Sequence, residues 1–194
     1  MKNLVFAFAL LCSTSLVAQF SFNENGTGIQ SATNTASGNK ASGNYSTAMG
    51  IGTQASGDSA TAMGYLTQAS GVTSVAMGNQ TIASGNNSTA MGVYTTASGG
   101  FSTAMGLRTQ AKGTLSFTLG RDTKAEDYAS TAIGHYNYDL TPNPFEFSPQ
   151  NTAFVIGNGT FENRSNAFEV LFDGSTTIAG NVTAPAFIGD GSQL

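Results

Sequence analysis

The sequence predicts an all-β fold, a parallel β-roll that completes one coil every fourteen residues. Two observations on the chain carry this expectation. Met49, Met63, Met77, Met91 and Met105 recur at a fourteen-residue step, each followed by glycine, and Leu119-Gly120 and Ile133-Gly134 extend the column. A threonine column (Thr53, Thr67, Thr81, Thr95, Thr109, Thr123) and an alanine column (Ala55, Ala69, Ala83, Ala97, Ala111, Ala125) keep the same step without insertion or deletion. A fixed period means that each unit stacks on its neighbours, because one such unit cannot bury an apolar face alone. A helix is excluded by the glycine, serine and threonine content, since each glycine costs a helix up to ~1 kcal/mol relative to alanine.

The first element, residues 1–19, reads as a secretory leader: Lys2 makes a short basic start, Leu4 to Leu11 an apolar run, and small residues follow up to Ala18 and Gln19. The run is shorter than the ~20 apolar residues a membrane-spanning helix needs, so no membrane insertion is expected within this chain. Cys12 is the single cysteine and lies inside this leader; Leu10-Leu11 before it fits a lipoprotein signal poorly, so simple cleavage is the expectation. A chain without cysteine cannot use disulfides, and its stability must come from backbone ladders and association. Residues 20–32 form a lead-in.

The repeats occupy residues 33–137, and from Gly43 the unit reads Gly-x-x-Ser-Thr-Ala-Met-Gly-x-x-Thr-x-Ala-Ser. Two short strands and two turns account for it, with the glycines of each unit, such as Gly50 and Gly57, at the corners. Alternation along a strand sets Thr47 with Met49 on one face and Ser46 with Ala48 on the other. The bulkier set is expected inside, so Met49, Met63, Met77, Met91, Met105, Leu119 and Ile133, with Thr47, Thr53 and Ala55, should fill the core. The smooth set, Ala48, Ala62, Ala76, Ala90 and Ala104, should then lie between protomers, where small side chains let backbones approach. Variable positions mark exposed corners, and Tyr45, Tyr65, Tyr94, Phe101 and Leu115 are larger and more apolar than a corner requires. They are candidates for partner binding, against packing between protomers as the bland alternative.

After the repeats the composition changes. Residues 138–150 carry Pro142, Pro144 and Pro149 and should form an irregular excursion that caps the roll, because proline cannot donate to a ladder. In residues 151–194, Val155-Ile156-Gly157 echoes the Ala-Met-Gly column, and Phe168 to Ile178 reads as a strand, an Asp-Gly turn and a strand.

The repeat Ser-Thr-Ala-Met-Gly-x-x-Thr-x-Ala-Ser-Gly resembles the head repeat of YadA-like trimeric autotransporter adhesins, over roughly Thr33 to His135. That resemblance implies a left-handed parallel β-roll, assembled as a homotrimer, secreted or exposed on the exterior of a bacterial outer membrane after leader cleavage, and attaching to extracellular proteins or cell surfaces. The family's heptad stalk and terminal barrel strands are not recognisable in these residues. The stretch from Gly180 to Leu194 is instead similar to the neck of tail-fibre-like proteins that precedes a chaperone domain, which makes a structural fibre segment the first alternative.

Composition and single residues narrow the function classes. Charged residues make up 9% of the chain and the net charge is −4, which gives nucleic acid or an anionic membrane surface nothing to attract it. His135 is the only histidine, and Asp122, Glu126 and Asp127 sit beside Arg121 and Lys124, as expected of a salt-bridged end turn rather than of acid–base catalysis. A nonapeptide calcium roll needs an aspartate in every repeat, and the array holds only Asp58, Asp122 and Asp127, so neither metal nor cofactor is expected. An ice-binding solenoid is the second alternative, but paired outward threonines are missing: the i+2 partner is Met49 for Thr47 and Ala55 for Thr53. The expected function is non-enzymatic attachment through distributed contacts.

Overall fold

The computed structural model describes residues 20–22, 29–31, 38–138 and 143–183. The leader at 1–19, with Cys12, lies outside the described residues, as does most of the neck-like stretch. Strands account for every regular element among the described residues, without a helix. In chain order they are β1 (Phe20–Phe22), β2 (Ile29–Ser31), β3 (Lys40–Ala41), β4 (Thr47–Ile51), β5 (Gln54–Ala55), β6 (Thr61–Tyr65), β7 (Gln68–Ala69), β8 (Val75–Asn79), β9 (Ile82–Ala83) and β10 (Thr89–Val93). Then follow β11 (Thr96–Ala97), β12 (Thr103–Leu107), β13 (Gln110–Ala111), β14 (Phe117–Arg121), β15 (Lys124–Ala125), β16 (Thr131–His135), β17 (Thr152–Asn158), β18 (Asn166–Leu171) and β19 (Thr176–Ile178).

Long and short strands alternate and stack into two sheets, which makes the chain a β-solenoid of about seven turns of about fourteen residues. The long strands β4 to β16 pair in parallel and in strict register, Met49 on Met63, Met63 on Met77, and so on to Leu119 on Ile133. The short strands β3 to β15 form the opposing seven-stranded sheet, with Ala41, Ala55, Ala69 and their successors in one column. At ~4.8 Å per rung, seven turns make a ladder about 30 Å long.

The interior is filled from the opposite side of the long strand to the one expected. Ser46, Ala48, Thr53 and Ala55 are at most 1% exposed, and so are Ala62, Ala76, Ala90 and Ala104, so the alanine column is the core of the roll and not a contact face between protomers. Met49, Met63, Met77, Met91, Met105 and Ile133 are half-buried and Leu119 is exposed, on the outer face of the long sheet. The physical reason is thickness. Gly43, Gly57, Gly71, Gly85 and Gly99 run inside so close to the next rung that a Cβ on each would sit 2.0 Å from a carbonyl oxygen. The repeat side chains fully buried between the two sheets are alanine, serine and threonine, so the sheets lie close together and a methionine column would force them apart. Thr118 replaces alanine in the column without becoming exposed.

The corners also differ from expectation. Gly50 and its successors lie within the long strands at φ between +119° and +133°, or +92° at Gly134, and bend them. The left-handed corner positions are held mostly by larger residues: Tyr45, Ser59, Thr73, Asn87, Phe101, Leu115 and Ala129 at one corner, and Leu66, Gln80, Tyr94, Arg108, Asp122 and Tyr136 at the other, all at φ between +48° and +62°. Such a conformation costs a non-glycine residue of the order of 1 kcal/mol. It is held by a hydrogen bond from rung to rung, as in Ser59 N–H to Asn44 O at 2.7 Å and Leu66 N–H to Ile51 O at 2.8 Å.

A side chain closes the last edge of the short sheet: Asn137 accepts from Lys124 N–H at 2.7 Å and donates to Lys124 O at 2.9 Å. This amide takes the place of the next strand's peptide group, so an edge that would otherwise stay open is satisfied. At the first rung Asn39 Oδ1 accepts from Thr53 N–H at 3.0 Å and ties the first two rungs together.

The C-terminal region continues the long sheet rather than leaving it. β17 pairs in parallel with β16, with Val155 on Ala132, Ile156 on Ile133 and Gly157 on Gly134, so the Val-Ile-Gly echo is a true further rung. β18 and β19 then add antiparallel strands around the turn at Asp173-Gly174. The proline segment folds back along the last rungs: Tyr128 N–H donates to Asn143 O and Thr114 N–H to Pro144 O. Asp127, which takes the place of the inward glycine, anchors it. Its carboxylate accepts from Asn143 N–H at 2.7 Å and Thr152 N–H at 2.8 Å, which fixes both ends of the described part of the excursion. Residues 180–183, the described part of the neck-like stretch, are exposed and carry no strand.

Candidate functional site

The geometry offers three outer surfaces. The first is the face of the long sheet. In-register stacking places Met49, Met63, Met77, Met91, Met105, Leu119 and Ile133 in one line, and the pairings of β17, β18 and β19 extend that line through Ile156, Phe168 and Ile178. A second line beside it runs from Thr47 to Phe117 and Thr131, then to Phe154 and Val170. The result is an apolar stripe from β4 to β19, uncovered among the described residues. Among soluble proteins a contiguous apolar stripe of this kind marks a contact surface.

The second surface is the corner between a short strand and the following long one. Tyr45, Phe101 and Leu115 stand here in a single column, 74%, 60% and 49% exposed. Asn44, Asp58 and Asn86 occupy the position before the left-handed residue. There Asp58 Oδ1 accepts from Asn44 N–H at 2.9 Å and Asn86 Oδ1 from Val72 N–H at 3.0 Å, so these side chains tie rungs together rather than reach for solvent partners. The third surface is the opposite corner with the outer face of the short sheet. Tyr65 ends β6 and Tyr94 holds a left-handed corner position, and Leu66, Gln68, Gln80, Ile82, Tyr94 and Thr96 line a shallow groove across three rungs. The five aromatic and apolar candidates are therefore all exposed but fall on two edges of the roll.

Charge gathers at the C-terminal end. Arg108 and Arg121 approach Asp122 at 3.9 and 3.6 Å, and Lys112 pairs with Glu126 on the next rung. Tyr136 is buried with the guanidinium of Arg121 on its ring at 5.6 Å and that of Arg164 at 5.7 Å. Arg164 also donates to Asp122 O at 2.8 Å and Asn137 O at 3.1 Å, which staples the region after β17 to the last turn. His135 Nδ1 lies 2.6 Å from Gly159 O and serves the same closure. Among the described residues no group of three His, Cys, Asp or Glu side chains converges as a metal site, and no helix is long and apolar enough to cross a membrane. The densest threonine rank, Thr53 to Thr123, is buried and presents nothing to an ice surface.

The C-terminal anchors, Asp127, Asn137 and Arg164, are what sequence reasoning missed. One signal pointed to Asp127: it breaks the glycine column where the repeat ends.

No curated protein matches the chain. The family model described as the YadA head domain repeat (2 copies) matches residues 41–67, 69–95 and 83–109, the rungs from β3 to β12. Together with the solenoid of fourteen-residue turns, that match supports a YadA-like head over the repeat region.

Proposed function

We propose that this chain is a non-enzymatic adhesin head, displayed at a bacterial surface or secreted, that assembles as a homotrimer and attaches to host, matrix or other cells through its outer corners. The observation that carries the reading is the division of the surface: one face holds an unbroken apolar stripe, and the two edges hold exposed tyrosine, phenylalanine and leucine on a rigid frame. YadA head domains form trimers, which supports a threefold contact along the stripe. In that arrangement the methionines of three chains meet at the axis, and their flexible thioethers fill it without strict shape matching. The corners stay outside. Attachment is then spread over several rungs, consistent with the scatter of Tyr45, Tyr65, Tyr94, Phe101 and Leu115 along the roll.

Light scattering on the purified protein tests the assembly. The wild type is expected at three times the chain mass, and Met77→Glu, which puts a charge into the stripe, at one. A wild type that stays monomeric at micromolar concentration contradicts the reading. Attachment is tested by coating beads with the head and counting those retained on epithelial monolayers and matrix-coated glass; retention no better than with uncoated beads contradicts it.

A further inference from the structure

The groove on the short-sheet side points to a ligand class. Leu66, Gln80 and Tyr94 form its wall from successive corners, and Gln68, Ile82 and Thr96 form its floor. All three wall residues sit at positive φ, with their N–H groups bonded to the preceding rung at 2.8 to 2.9 Å, so the backbone that presents them is fixed. No charged side chain lines the groove, in contrast to the next corners, where Arg108 and Asp122 take the wall position. An anionic or cationic ligand finds no counter-charge here. An extended peptide finds no free strand edge either, because the floor residues already spend their N–H groups in the ladder, Gln68 on Thr81 O, Ile82 on Thr95 O and Thr96 on Thr109 O.

What the groove does offer is two primary amides, a phenol, a hydroxyl and two aliphatic side chains. Amides exchange paired hydrogen bonds with adjacent hydroxyls, and a tyrosine ring packs on the apolar C–H face of a sugar. The rungs repeat at about 4.8 Å, close to the length of one pyranose residue in an extended β-linked chain, and three rungs span about 10 Å. We infer that this groove binds a neutral β-linked oligosaccharide, with Tyr94 as the stacking platform and Gln68 and Gln80 as the hydroxyl readers. The inference rests on the adhesin reading and names the ligand chemistry for one of its edges. The groove opens on the sheet opposite the methionine stripe, so assembly through the stripe leaves it accessible.

The test is calorimetric and NMR titration of the whole protein with cellohexaose and N-acetylchitohexaose. Hyaluronan hexamer and an uncharged Ser/Gly decapeptide serve as comparison ligands. Saturable binding of at least one neutral oligosaccharide is expected, weakened about tenfold by Tyr94→Ala. Tyr94→Asn repeats the test with a residue that holds the left-handed corner, as Asn87 does at the other edge. Ser59→Ala at the other corner, where Ala129 already holds the equivalent position, should leave oligosaccharide binding unchanged. The inference is overturned if neither neutral oligosaccharide binds, if Tyr94→Asn binds as the wild type does, or if the peptide or hyaluronan is preferred. Bead retention on cells distinguishes the two levels: retention without oligosaccharide binding removes this inference and leaves the adhesin reading, whereas loss of retention removes that reading.

Discussion

Gly99 and Gly100 are neighbours in the chain, yet a methyl group added to one should be costly and to the other harmless. A Cβ on Gly99 would lie 2.0 Å from Gly113 O and 2.5 Å from Gly113 C. Both are backbone atoms of the next rung, so no side-chain rotation relieves the contact. Ordinary contact begins near 3.4 Å, and 3.4 − 2.0 leaves 1.4 Å by which the rungs must part. Three hydrogen bonds cross between the rungs at this corner, Ser98 N–H to Ala111 O at 2.9 Å, Gly99 N–H to Ala111 O at 3.3 Å and Leu115 N–H to Gly100 O at 2.8 Å. Such a displacement breaks them, at about 1 kcal/mol each, so Gly99→Ala should lose about 3 kcal/mol. On Gly100 the same Cβ meets only Thr114 Cγ2 at 4.0 Å, and the residue is not in the left-handed region. Gly100→Ala should be neutral or more stable by about 0.5 kcal/mol, through the reduced freedom of the unfolded chain. Urea denaturation followed by circular dichroism measures both. Equal stability of the two variants within about 0.5 kcal/mol would refute the close inward approach of the glycine column.

Asp127→Ala should release the proline segment, at about 2 kcal/mol, because the N–H groups of Asn143 and Thr152 both lose a carboxylate acceptor; faster hydrogen exchange at those two amides, with the repeats unchanged, is the expected signature. Asn137→Ala should cost about 1–2 kcal/mol and expose the edge of β15, seen as faster exchange at Lys124 N–H. Asp173 is held below its ordinary value chiefly by the hydrogen bond its carboxylate accepts from Ser175 N–H, and then by the Ser175 side chain. A depressed carboxylate stabilises the turn above its ordinary pKa and loses that effect as the pH falls through the folded value. The β18–β19 turn should therefore loosen in acid ahead of the roll, read as NMR shift changes at Ser175, and Asp173→Asn should abolish the pH dependence.

Period, register and strand class are legible in the sequence because each is carried by several columns at once. A fourteen-residue step shared by methionine, threonine and alanine admits only in-register stacking, and the Asp173-Gly174 pair announces its own turn. Sidedness is not legible in the same way. Alternation says that Ala48 and Met49 face opposite ways but not which is inside, and exchanging the faces moves every side chain at once. The usual preference for bulky apolar residues inside points the wrong way in so thin a roll. The interior holds only alanine, serine and threonine, and the large residues are left on the outer face. The left-handed corners were hidden because tyrosine, leucine and phenylalanine occupy positions where turns ordinarily take glycine. The end closures depend on single asparagine, aspartate and arginine side chains meeting backbone far away in sequence, such as Asp127 reaching Thr152 N–H and Arg164 reaching Asp122 O, and no local pattern encodes that.

The assignment of faces is tested most directly by one pair of substitutions at adjacent residues, Ala76→Leu and Met77→Leu, compared by urea denaturation. Ala76 is fully buried between the sheets and Met77 is half-buried on the outer face. Leucine at 76 should cost about 3 kcal/mol or prevent folding, whereas leucine at 77 should change stability by less than about 1 kcal/mol. The reverse order, with Ala76→Leu tolerated and Met77→Leu disruptive, would contradict the account.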